Sequence, residues 1–390
     1  MHLKLTEFKE VLLSREALSE EEAWKIHTLY GNQVALDWPT PLSGNRWRLQ
    51  ALGYVGFLPL SPERGLLLEP KVLLRNLFAM LEYAFDLRVM AGGFECDSIP
   101  EFFSRIAMLL LRKIMARART GLYREYRDER ELLGAVRGRL MVNALFNGPP
   151  RTQVECEFAE QTADLEENQI IAWTLHVLLM TGMFTGPVLE QLRKADKMFR
   201  GTISLRPFKG SQCVGRSYNR LNADYGDIHL LCRFFLDCVG PTHQEGDRRM
   251  VPFLVDMARL FEVFLAKWME ANLPGGLRIK AQECRNYGEG GTLSLNPDLV
   301  VYSSESKAAV CVLDTKYKAK GEVSNADYSQ VLAYADALGC GNAFLVYPKR
   351  LERAFNVMPG RIRVQSAVFD LGLDLDSAGK AFLAEIGLSD

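Results

Sequence analysis

The sequence is poor in the residues that usually build metal clusters and staples. It has five histidines, all isolated, and eight cysteines with no CxxC pair. The cysteines (96, 156, 213, 232, 238, 284, 311 and 340) are scattered, and several sit inside apolar runs such as AAVCVL and LLCRFF. Neither a zinc site nor a disulfide framework is expected from this pattern, which suits reduced thiols. Charge imbalance is also lacking. With a net charge of −1, no global field draws the chain onto nucleic acid or membrane, so any such contact needs a local patch. The opening MHLKLTEFKE has no signal-peptide core, and no run approaches the roughly 20 apolar residues of a membrane span. No GxxxxGK[ST] phosphate loop occurs, so this chain is not expected to be a P-loop nucleotide motor itself. A soluble, cytoplasmic protein without membrane contact is expected.

The rest of the composition, 48% hydrophobic and 24% charged, is that of an ordinary globular protein. A chain of 390 residues predicts two or three domains. Residues 1–95 read as a small mixed α/β domain, with NRWRLQALGYVGFLPL strand-like and Leu74, Leu77, Phe78, Leu81 and Phe85 at helical spacing. Residues 96–250 read as mainly helical, including one long helix over IPEFFSRIAMLLLRKIMARARTGLYREY. Between Arg105 and Arg139 ten basic and four acidic residues leave a local excess of positive charge. That stretch is either a solvated helix face or a phosphate contact through Arg112, Arg117 or Arg119. From Val251 the expected order is helix, three strands, helix, strand, strand.

The chemistry concentrates in LNPDLVVYSSESKAAVCVLDTKYKAK. Two apolar runs, 299–302 and 308–313, flank a polar SSESK turn and predict a β-hairpin. Pairing them antiparallel about residue 306 sets Asp298 opposite Asp314. Lys316, two residues on, leaves the same face as Asp314. Three charges thus meet within a cross-strand spacing of about 5 Å. Two carboxylates so close need a cation between them or must share a proton. Hard oxygen ligands with room for water suit Mg²⁺, and a neighbouring lysine suits metal-assisted phosphodiester hydrolysis. The (D/E)-x-K triplet alone is weak, because 48 acids and 16 lysines yield about two by chance. Its place at the end of an apolar strand, facing a Pro-Asp, carries the weight. Glu262 lies amid the preceding amphipathic helix, and Gln330 and Tyr334 lie one turn apart on the following one. Taken singly, Glu262 could be a surface residue, and Gln330 and Tyr334 could be helix packing.

NPDLVV followed by VLDTKYK and DYSQVLAYA resembles the PD-(D/E)xK nuclease superfamily, and in particular the McrC family of McrBC-type modification-dependent restriction systems. GYVGFLPL…LLLEPKVLLRNLFAMLEYAFDL, VRGRLMVNALF…LEENQIIAWTL and MARLFEVFL extend the likeness along the chain. The resemblance implies a restriction-endonuclease-like domain over 251–390, after a helical middle region and a partner-binding mixed α/β domain. It implies that Asp298, Asp314 and Glu262 hold a catalytic Mg²⁺ (or Mn²⁺ in its place), that Lys316 assists the attacking water, and that Gln330 and Tyr334 support the site. It further implies double-stranded, modified DNA as substrate and a hexameric McrB-like AAA+ GTPase as partner, in an anti-phage defence role. Two other functions stay open on sequence: a stand-alone repair or junction nuclease, and a catalytically silent subunit that stimulates a GTPase.

Overall fold

A computed structural model of the chain describes residues 2–389, apart from 62–63, 88–95, 142–151, 241–242, 246–247, 288–292, 319–321 and 359. It divides into two compact units, Met1–Phe103 with Cys238–Asp390, and Ser104–Asp237. The first and last thirds of the chain therefore belong to one unit, whereas the sequence pattern places boundaries at 95/96 and 250/251.

The N-terminal part of the first unit runs β1 (His2–Thr6), β2 (Glu10–Leu13), α1 (Glu20–Leu29), β3 (Val34–Asp37), β4 (Trp47–Ala51), β5 (Tyr54–Ser61), β6 (Arg64–Glu69) and α2 (Leu74–Ala84). The strand-like NRWRLQALGYVGFLPL is two strands, broken where Gly53 takes a φ of +72° that a Cβ would disfavour. A capping box between Ser19 and Glu22 starts α1. The predicted stripe of α2 is core, with Leu77, Phe78 and Leu81 buried. β2, β4 and β3 form one sheet, and β1, β6 and β5 belong to another.

α3 (Ile99–Thr120) leads into the second unit, which continues as β7 (Glu125–Leu133), β8 (Arg139–Leu140), β9 (Val154–Thr162), α4 (Glu166–Met180), α5 (Gly186–Phe199) and α6 (Tyr225–Asp237). Two expectations are corrected here. The long helix stops at Thr120, because Gly121 at φ +97° cannot continue it. The region is also not simply helical, because β7, β9 and β8 form a sheet in that order. EYRDERELL is charged on both faces and shows no period in sequence, so only its pairing with β9 makes it a strand. Acids from elsewhere in this unit offset the basic run: Lys113 meets Asp227 at 2.7 Å and Arg130 meets Glu157 at 3.0 Å. Arg117 is committed to the Leu221 carbonyl and Asp224 and lies over the Tyr225 ring.

The first unit then resumes with β10 (His243–Glu245), β11 (Arg248–Met250), β12 (Phe253–Asp256), α7 (Met257–Asn272), β13 (Leu277–Ala281), β14 (Arg285–Tyr287), β15 (Leu293–Leu295), β16 (Leu299–Ser303), β17 (Ala309–Thr315), α8 (Asn325–Ala337), β18 (Asn342–Tyr347), β19 (Asn356–Val357), β20 (Arg363–Val368) and α9 (Leu375–Glu385). VPFLV, expected to open the helix, is instead strand β12, which adds antiparallel to β5 and completes the sheet β1-β6-β5-β12. Asp256 then caps α7, accepting from the Ala258 and Arg259 amides. After α7, LRIKAQECRNY forms two short strands. Gln282 at φ +50° breaks it into β13 and β14.

The sheet that carries the site has the order β13-β16-β17-β18-β20-β19, antiparallel from β13 to β17 and parallel from β17 through β18 to β20. α8 is the crossover between the parallel strands, and its Val331, Tyr334 and Ala335 pack on Val300, Val312, Ala343 and Leu345. Alternate strand residues face the other way, where α7 lies against β13 and β17. On that side Phe369 meets Phe264, Trp268 and Phe382 at centroid separations of 5.2, 5.1 and 5.7 Å. Gly379 of α9 lets that helix close on Trp268, since a Cβ there would overlap the indole ring. Gly379→Ala should therefore lower stability by about 1–3 kcal/mol through overpacking, despite the gain in helix propensity. A urea midpoint equal to wild type would contradict it.

Candidate active site

The hairpin register decides what meets at the mouth. Leu299 pairs with Leu313, Val300 with Val312 and Val301 with Cys311. The same register carried one step further sets Asp298 against Asp314. A bulge between Val301 and Tyr302 absorbs the odd residue near the turn and leaves the mouth in step. Asp314 and Lys316 leave the face covered by α8, as their spacing of two requires.

Asp314 is 1% exposed, and its Oδ2 lies 2.5 Å from Lys316 Nζ. That contact is a buried, charge-assisted pair between a carboxylate and an ammonium. Burial, then repulsion from Asp298, pushes the Asp314 carboxyl up to about 6 against the pull of Lys316. Burial alone would lower the Lys316 ammonium, but the charges of Asp314, Asp327 and Asp298 outweigh it and hold its pKa above the usual lysine value. Lys316 Nζ also donates to Gln330 Oε1 at 3.1 Å, and Gln330 Nε2 donates to Tyr334 Oη at 2.8 Å. Of the predicted helical pair, Gln330 is thus brought to the lysine and Tyr334 to Gln330, with Tyr334 also part of the core beneath α8.

Asp298 is steadied from behind. Its Oδ2 accepts from the Thr315 amide at 2.7 Å and from Thr315 Oγ1 at 2.8 Å. Glu262, half-buried on α7, bonds instead to Gln282 Nε2 at 2.8 Å. Burial raises its pKa, and the Asp298 charge adds to that against the Gln282 bond. Among the described residues no three His, Cys, Asp or Glu side chains are gathered closely enough to hold a metal by themselves. The two facing carboxylates nonetheless match the hard oxygen donors that a cation such as Mg²⁺ takes. That ion takes only one or two protein carboxylates and completes its shell with water and phosphate oxygens.

Sequence reading misses three participants. Thr315 gives no signal beyond its place between Asp314 and Lys316. Gln282 is visible only through the left-handed break in the chain that presents it to Glu262. Asp327 lies in the first turn of α8, where it closes a capping box with Ser324. Its Oδ1 also lies 3.6 Å from Lys316 Nζ, and its Oδ2 meets Lys318. The lysine is therefore held by Asp314, Gln330 and Asp327 together.

A family model described as "McrBC 5-methylcytosine restriction system component" matches residues 49–348, which includes the hairpin, Lys316 and α8. The chain belongs to the McrBC family. No curated protein matches it. Its fold resembles that of a chain from a refined half-complex of the tetradecameric assembly of Thermococcus gammatolerans McrB AAA+ hexamers with bound McrC. That match has a TM-score of 0.60 and 18% identity, over 99% of this chain and 100% of that one. A chain of the Thermococcus gammatolerans McrBC complex solved by cryo-EM matches at a TM-score of 0.44 and 17% identity, over 69% and 87%. The first of these matches shows a shared mixed α/β fold. Among the described residues no helix is long and apolar enough to cross a membrane.

Proposed function

We propose that this chain is the nuclease subunit of a McrBC-like restriction system. In this reading it is a Mg²⁺-dependent endodeoxyribonuclease with a PD-(D/E)xK site, cutting modified double-stranded DNA. It works with, and stimulates, a hexameric McrB-like AAA+ GTPase. The observation that carries the reading is the hairpin register, which sets Asp298 against Asp314 and places Lys316 beside Asp314 and Gln330. Support for the motor partner comes from family membership and from the missing phosphate loop. The similar Thermococcus assembly, in which McrC is bound to McrB AAA+ hexamers, adds to it.

In this proposal Asp298 and Asp314 hold the cation, and Glu262 is the third acid within reach of the same mouth. A Mg²⁺ ion bound there supplies polarisation of a phosphoryl oxygen and a water of lowered pKa. The protein's own groups do the rest. Thr315 keeps Asp298 turned to its partner strand. Lys316, as an ammonium, donates to a phosphate oxygen and offsets the charge that builds there in the transition state. Gln330 and Asp327 restrict the swing of the lysine, so little ordering is left to occur during reaction.

The test is calorimetric titration of Mn²⁺ into the full chain and into Asp298→Asn and Asp314→Asn. Each variant should lose at least about tenfold in affinity. Equal heats in all three proteins would remove the metal from this site and, with it, the nuclease reading.

A further inference from the structure

The segment that carries Lys316, just past the end of β17, is gripped from two sides. Lys318 repeats the direction of Lys316 and meets Asp327, while Tyr317 between them points the opposite way, as the pleat requires. There Tyr317 enters a buried cluster built by the N-terminal segment. Its hydroxyl donates to Glu7 Oε2 at 2.9 Å, and its ring lies against Phe8 and against Phe261 of α7. Glu7, just after β1 and bridged to Ala51, is 3% exposed. Its Oε2 also accepts from the Lys71 amide at 3.1 Å, while its Oε1 has no hydrogen-bond partner. The Lys71 ammonium sits 4.3 Å over the Tyr317 ring and 4.5 Å over Phe8, and donates to the Lys318 carbonyl at 2.7 Å.

Three N-terminal residues thus hold the two positions that follow Lys316. A plain apolar seal would serve folding better, because a buried carboxylate with an unmet oxygen is costly. A directional anchor on Tyr317 is what the carboxylate adds. We propose that Glu7 is a positioning residue: with Lys71 it clamps Tyr317 and Lys318, and through that backbone it fixes where Lys316 stands. The positioning role rests on the nuclease reading above, whereas the clamp itself does not.

The clamp also senses protons. Burial drives the Glu7 carboxyl from its ordinary 4.5 up to about 7, against the opposing pull of the Lys71 amide, the Tyr317 hydroxyl and the Lys71 charge. Burial in turn lowers the Lys71 ammonium; the Glu7 charge works against this and the Lys349 charge adds to it. A carboxyl whose folded pKa is raised favours the folded state below its unfolded pKa, and that contribution is lost as pH rises through the folded value. Glu7→Gln should therefore leave the melting temperature unchanged at pH 4 and raise it at pH 8.

The test is hydrogen exchange of the segment 312–318 in the full chain, compared among wild type, Tyr317→Phe, Glu7→Leu and Glu7→Gln. It is paired with kcat and KM for DNA cleavage by the complete complex. Tyr317→Phe keeps the ring and loses only the anchor. It should speed exchange about threefold to tenfold and lower kcat about tenfold, with KM and Mn²⁺ affinity unmoved. Glu7→Gln, which keeps an acceptor, should recover most of the protection lost in Glu7→Leu. Exchange equal to wild type in both Tyr317→Phe and Glu7→Leu overturns the clamp, whether or not the protein cleaves. Faster exchange with an unaltered kcat overturns the positioning role. A wild type that shows the clamp but never cuts DNA overturns the nuclease reading and the positioning role with it, and the clamp then stands on the exchange data.

Discussion

Lys316→Met is expected to slow DNA cleavage by about 10²–10³-fold, the usual cost of removing one preorganised donor from a developing charge. Methionine keeps most of the length of the stem, so packing against α8 changes little. The loss is the ammonium of a side chain that is 13% exposed, an ammonium that lies 2.5 Å from Asp314 and 3.6 Å from Asp327. Without it the two acids face each other across a partly dry site, and Asp314, already pushed to about 6, should rise further. Lys316→Arg should not rescue the rate, because a planar guanidinium presents its donors in a fixed fork that does not match a site built for one point charge. Single-turnover cleavage by the complete complex at saturating metal measures both variants. A Lys316→Met rate within threefold of wild type would show that the lysine is structural, and the reading of the mouth as a catalytic site would lose its donor.

Phe264→Ala should be the most damaging core substitution near the site, at about 3–5 kcal/mol. The ring is fully buried and meets Tyr83 and Phe369 edge-on at 5.6 and 5.2 Å. It belongs to the face of α7 that also buries Phe261, Leu265 and Trp268. Truncation opens a cavity that rigid aromatic neighbours cannot refill by small rotations. The same helix carries Glu262 to the mouth and Phe261 to Tyr317, so its loosening should reach the site as well as the stability. The urea midpoint reads the first effect and Mn²⁺ affinity the second. An unchanged midpoint would mean that α7 is not docked through this ring.

The hairpin and its consequences are legible in the sequence because every step is local. Alternation gives the faces, the turn gives the register, and the register gives the Asp298–Asp314 opposition, which the Leu299–Leu313 ladder carries to the strand ends. The stripe at 74–85 and the crossover helix are legible for the same reason. Each is a short-range pattern with one dominant period. VPFLV misleads because an unbroken apolar run of five suits a buried strand as well as a helix turn, and its partner β5 lies some two hundred residues away. GLYREYRDERELL misleads because charges on both faces erase any period.

By itself, then, the sequence determined which residues could carry chemistry and which of them share a strand face, since pleat and helical turn are backbone properties. Tertiary structure alone decided what holds those residues. Gln330 and Asp327 converge on Lys316 only once α8 crosses back over β17, and Gln282 reaches Glu262 only where its own left-handed backbone breaks the strand. Glu7 and Tyr317 are separated by 310 positions. No periodicity links residues that far apart, and only the packing of β1 and α7 around the strand that leads to Lys316 brings a carboxylate and a phenol within hydrogen-bond reach.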